Sequence, residues 1–138
     1  MNKSSAFTLL ELLVVVMIIA ILSTMLMPSF QKAWLKSYRS LATQTLYKIA
    51  LWQEQQLALT GEYQNTLPDN FSKQTASRYQ LSLEVKTHAQ DSEDYFKITA
   101  EAISTQTKDT ECRTFSLDTY GETLALDSNS APTPQCWR

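Results

Sequence analysis

The chain has 138 residues, a formal charge of -2 from 12 basic and 14 acidic side chains, one histidine and two glycines. That length implies one globular domain. The near-neutral charge shows no basic block of the kind that draws proteins to nucleic acid, and two glycines leave no room for a phosphate-binding loop. The lone histidine, His88, has no visible triad companions and reads as a surface residue, so the sequence points away from catalysis.

The first element is a run of membrane length. From Phe7 to Met27, only Thr8, Glu11, Ser23 and Thr24 are not apolar. As a helix this run spans about 31 Å, enough for a bilayer core. Lys3 supplies a positive flank, but the run exceeds the roughly 7–15 apolar residues of a secretory signal, and no A-x-A site follows. A plain single-pass anchor leaves Glu11 unexplained. A mid-membrane acid costs at least about 2.5–3.5 kcal/mol on insertion scales, less near an interface, and such a group usually has a partner. Cleavage between Ala6 and Phe7 would supply one. It would create an α-amino group four residues before Glu11, and the amine of one staggered helix could meet the carboxylate of the next.

Beyond Pro28 the pattern is amphipathic. Trp34, Tyr38, Leu41, Ile49 and Trp52 recur at helical spacing, with Leu46 on the neighbouring edge. Lys32, Lys36, Arg39, Lys48 and Glu54 fall largely off that stripe. Gly61 is placed to cap the helix. A single helix from Phe7 to about Thr60 would be roughly 80 Å long. Residues 61–79, with Gly61, Pro68, Asp69 and Asn70, read as a connecting loop, and Asp91 to Asp94 as a solvated acidic turn.

Strands follow. Leu81, Leu83 and Val85 alternate with polar residues, as do Phe96, Ile98, Ala100 and Ala102, then Phe115 and Leu117. Leu124 and Leu126 continue beyond a turn at 118–121. One wet face and one buried face imply an antiparallel sheet, covered by the amphipathic helix half. The fold class expected is α+β. Cys112 and Cys136, behind a membrane-targeting segment, fit a disulfide in an oxidising compartment; two free thiols are the alternative. The tail from Ala131 is too proline-rich for a regular strand.

Lys3, Ala6-Phe7-Thr8-Leu9-Leu10-Glu11 and the apolar run to Pro28 together resemble the class III signal of type IV pilins. The resemblance implies a leader of residues 1–6, a transmembrane and filament-core helix over 7–28, and a globular domain over 29–138. It implies removal of the leader by a prepilin peptidase, N-methylation of Phe7 by the same enzyme, assembly through Glu11 and a helix kink at Pro28. Ala6 stands where the family usually has glycine, and Ala20 where a helix glycine is common. The segment Thr107 to Cys112, Ser116-Leu117-Asp118 with Gly121, and the ending Cys136-Trp137-Arg138 look like PilE-type minor pilins of type IVa systems.

The function implied is that of a minor structural subunit of a type IV pilus that aids assembly initiation. It would be a single-pass inner-membrane protein with a periplasmic domain, then part of an extracellular pilus. Its partners would be other pilins, the peptidase, the assembly platform and, before assembly, membrane lipid. No cofactor, metal or catalytic residue is expected. Retention of Glu11 argues against the outermost initiating position, which in related systems tends to lack that acid. Two alternatives remain. A type II secretion pseudopilin would use a calcium loop in place of the cysteine pair. A DNA-receptor pilin would need a basic strip, and Arg113 and Arg138 stand against Asp118, Glu122 and Asp127, which argues against nucleic acid as a partner.

Overall fold

The structure is a computed structural model that describes residues 8–75, 78–86 and 94–137, without the side chains of residues 25–28. It divides into two compact units, Met1–Trp34 and Leu35–Arg138. Ala6, Phe7, His88 and Arg138 lie outside the described residues, as does the side chain of Pro28 and most of the acidic segment 91–94.

Helix α1 runs Leu9–Thr60. It ends as expected. Gly61 takes φ 83° and its N–H donates to the Leu57 carbonyl at 2.8 Å, a left-handed cap that satisfies a terminal carbonyl. The four strands β1 (Tyr79–Lys86), β2 (Tyr95–Ala102), β3 (Thr114–Asp118) and β4 (Thr123–Leu126) form one antiparallel sheet in sequence order. The second half of α1 packs on that sheet. Ala42, Leu46 and Ile49 are fully buried with Phe96, Ile98, Ala100 and Phe115.

Three local readings differ from the expectation. The buried stripe of α1 is Ala42, Thr45, Leu46, Ile49 and Gln53; Ile49 and Leu46 lie in it as expected, while the aromatic residues flank it. Trp34, in the first unit, is exposed; Tyr38 and Trp52 are half-buried, because bulky rings fit at the border of a helix–sheet contact while small and aliphatic residues let the backbone approach. The expected loop 61–79 contains a short helix α2 (Asp69–Thr75), formed because Phe71 and Thr75 share one face and are both buried. In β4, Ala125 is buried while Leu124 is 40% exposed. The turn sets this register. Asp118 Oδ1 accepts from Tyr120 and Glu122 N–H groups, which places Phe115 opposite Ala125.

The tail is an ordered flap. It makes a single bridge, Leu126 to Pro132, then a 3₁₀ turn, Pro134–Trp137. Cys136 is joined to Cys112 by a disulfide.

Candidate assembly site

The first unit carries the residues on which assembly chemistry would rest. Leu9 to Leu22 expose their apolar side chains, from 44% to 82% for the large ones, so none of the described residues fully covers them. The polar members of the run are satisfied locally. Ser23 donates to the Ile19 carbonyl and Thr24 to the Ile21 carbonyl, both at 2.7 Å. Hydroxyls bonded back to their own helix can enter hydrocarbon without a stranded donor. Glu11 is then the one ionisable group on an otherwise apolar rod.

The start of the helix carries a cap that sequence reasoning missed. Thr8 precedes the helix, and its Oγ1 accepts the Glu11 N–H at 3.3 Å. Thr8-Leu9-Leu10-Glu11 has the T-x-x-E spacing of a capping box, a signal that was legible in the sequence. An acid in the first turn also faces the positive end of the helix dipole. A carboxylate there therefore favours helix initiation as well as offering a charge to a neighbour.

Among the described residues no single helix is long and apolar enough to cross a membrane, whereas Leu9–Thr24 and Ser29–Thr60 taken as a bent pair meet that condition by length and composition.

In the second unit a buried polar strap ties α1 to the disulfide loop. Arg39 Nε and Nη2 donate to Asp109 Oδ2 and Oδ1 at 2.6 and 2.7 Å. Asp109 also accepts from Gln106 Nε2 and from the Cys112 N–H, each at 3.2 Å. Gln106 Nε2 reaches the Leu35 carbonyl at 3.2 Å. The Asp109 hydrogen bond raises the Arg39 pKa further above its already high value, against the opposing effect of burial. By its spacing Arg39 falls off the apolar stripe. Only the fold reveals its partner, 70 residues away.

A clamp of the same kind closes the helix end: Gln53 Nε2 donates to the Gln64 carbonyl at 2.8 Å and Gln53 Oε1 accepts the Gln64 N–H at 2.9 Å.

Beside the strap lies a cleft of about 480 Å³, lined by Lys36, Ser40, Thr43, Gln135 and Trp137 together with Arg39 and Cys136. Its lining holds two cations and no carboxylate. The Arg39 charge is already met by Asp109, and among the described residues no ion pair meets Lys36. Among the described residues no group of three His, Cys, Asp or Glu side chains could hold a metal ion.

Residues 28–116 match the family described as "Type IV minor pilin ComP, DNA uptake sequence receptor". Residues 1–27 match the "Prokaryotic N-terminal methylation motif". The fold is similar to the high-resolution structure of a type IV pilin from Shewanella oneidensis. The TM-score is 0.52 at 22% identity, over 75% of this chain and 98% of that one. No curated protein sequence matches significantly.

Proposed function

Because this chain belongs to the type IV minor pilin family, we propose that it is made as a precursor, cut between Ala6 and Phe7, N-methylated on Phe7 and drawn into a pilus through Glu11. Its class is that of a structural pilin subunit with an N-terminal methylation motif. The family is structural rather than enzymatic and works with other pilins and the pilus machinery.

One observation supports the assembly reading above the rest. Every large apolar side chain from Leu9 to Leu22 is uncovered, and the run carries a single carboxylate. Uncovered apolar surface of this extent needs lipid or other protein around it. Membrane before assembly and neighbouring pilin helices afterwards satisfy that need in turn. Leader 1–6, core helix 7–28 and exported domain 29–138 follow as the functional division, with Pro28 as the point where the helix bends. A PilE-type part in starting assembly extends the same reading. The test is incorporation: sheared pili should contain the chain, and a strain lacking it should make fewer pili.

The family description favours a second reading, a receptor for incoming DNA. Lys36, with the Ser40 and Thr43 hydroxyls in the cleft, is the basic feature that reading would use. A gel-shift with the fragment 30–138 separates the two. Binding that falls steeply with salt supports the receptor; no shift at low salt leaves the structural role alone.

A further inference from the structure

The two edges of the sheet differ. β4 is closed by the tail: the Thr133 N–H donates to the Ala125 carbonyl at 2.8 Å, and Pro132 bridges Leu126. A proline there offers no N–H to a further strand. β1 is an edge of eight residues with no proline or glycine, and it pairs with β2 without a bulge from Tyr79↔Ala102 to Lys86↔Tyr95.

The direction of its backbone groups follows from the end of the ladder. The Ile103 N–H donates to the Arg78 carbonyl at 2.8 Å. Opposed residues in an antiparallel pair alternate between bonded and non-bonded positions. Gln80, Ser82, Glu84 and Lys86 therefore bond to β2. Leu81, Leu83 and Val85 turn their N–H and C=O groups outward, and among the described residues no hydrogen bond meets those groups. Their side chains are only partly buried against the core. Long edges of this kind are what folds ordinarily guard with proline, bulges or short length; among the described residues α2 is the element packed beside this strand.

We propose that β1 pairs antiparallel with β1 of a second copy of this chain, about a two-fold axis at Leu83. Leu83 then faces Leu83 of the second copy, and Leu81 faces Val85 on either side. About six backbone hydrogen bonds form at these three bonded positions. On the wet face Ser82 meets Glu84 and Gln80 meets Lys86, so no like charges oppose.

Charge selects this register. A shift of two residues one way sets Glu84 against Glu84, which is destabilising. The opposite shift sets Arg78 against Lys86 and runs the second strand into the turn where the Arg78 N–H donates to the Thr75 carbonyl. A one-residue slip sets the outward-facing groups of Leu83 against residues whose N–H and C=O groups already bond to β2. Such an axis stands perpendicular to the sheet and reverses the whole domain. The contact therefore joins subunits pointing opposite ways, as on two filaments that meet, rather than neighbours along one filament.

The test is a register-specific crosslink between full-length chains in mild detergent. A Ser82→Cys chain is mixed with a Glu84→Cys chain and oxidised. In the proposed register these positions face each other in a non-bonded pair, with Cβ atoms about 4.5–5.5 Å apart. The mixture should give at least about fivefold more disulfide dimer than either chain alone, since disulfides tolerate only a narrow geometry. Leu83→Pro in both chains should abolish that dimer. The Leu83 N–H faces outward, so proline there removes a bond to the second copy and none to β2. A mixed dimer no more abundant than the single-chain products overturns the proposal, as does one that survives Leu83→Pro. If Leu83→Pro fails to fold, the comparison of mixed and single chains decides alone.

Discussion

Arg39 on α1 and Asp109 in the loop before Cys112 form a two-pronged ion pair, with N–O distances of 2.6 and 2.7 Å across 70 residues of sequence. Asp109 is 2% exposed. The pair holds the helix to the segment that carries the disulfide, and it makes that segment part of the core rather than a loose loop. Arg39→Ala leaves the Asp109 carboxylate buried without its cation. We expect a loss of about 2–3 kcal/mol by urea unfolding of the fragment 30–138, below the range for a fully buried pair because Arg39 keeps some solvent contact. Arg39→Lys should recover only part of it, since an ammonium cannot match both carboxylate oxygens. A loss under about 0.5 kcal/mol for Arg39→Ala would show the pair to be a surface bridge in effect.

The Cys112–Cys136 disulfide spans a separation of 24 residues. Closing a loop of that size restricts the unfolded chain by roughly 3 kcal/mol on the chain-entropy view. Cys112→Ser should lower the melting temperature of the exported domain and free the flap at Pro132–Trp137 to proteolysis. Unchanged melting and protease resistance would mean that the flap is held by its backbone bridge and by Trp137 against Phe115 alone.

Glu11→Ala should still insert, because it removes the costly charge from the apolar run. Its cleavage should also proceed. Incorporation into sheared pili should fall sharply. Glu11→Gln removes the charge and leaves in place the backbone N–H that Thr8 caps. Normal incorporation of Glu11→Gln would refute pairing of its charge with a neighbour.

Alkaline pH should loosen the domain in a defined window. Burial, then the hydrogen bond to Glu54, pushes Tyr63 up to about 12, and burial raises Tyr79 as well. A folded-state value above the unfolded one means that the neutral phenol is the form the fold favours. Its contribution is intact below the unfolded value, about pH 10, and is lost as pH rises toward about 12. The melting temperature should therefore fall between pH 10 and 12, and fall less in Tyr63→Phe. Equal slopes for the two proteins would remove Tyr63 as a cause.

Much of this architecture was legible because it rests on short-range pattern. The alternation of Phe96, Ile98 and Ala100 marks a strand with one buried face, and Gly61 marks the helix end, each through local geometry. The burial axis of α1 was less so, since Thr45 and Gln53 are polar residues buried at zero exposure. Gln53 is tolerated there only because Gln64 meets both ends of its amide. The Arg39–Asp109 strap was hidden for the same reason: long-range partners leave no periodic trace. Glu11 shows the reverse. Its exceptional setting is plain from the sequence, while the Thr8 cap on its N–H is an ordinary helix start.

The most direct measurement is the N-terminal mass of the chain extracted from membranes or pili. The account predicts a mature polypeptide that starts at Phe7, carries one methyl group on its α-amine and retains Glu11 as its fifth residue. A chain that keeps Met1–Ala6 in the filament, or one trimmed past Met27 and released, would contradict it.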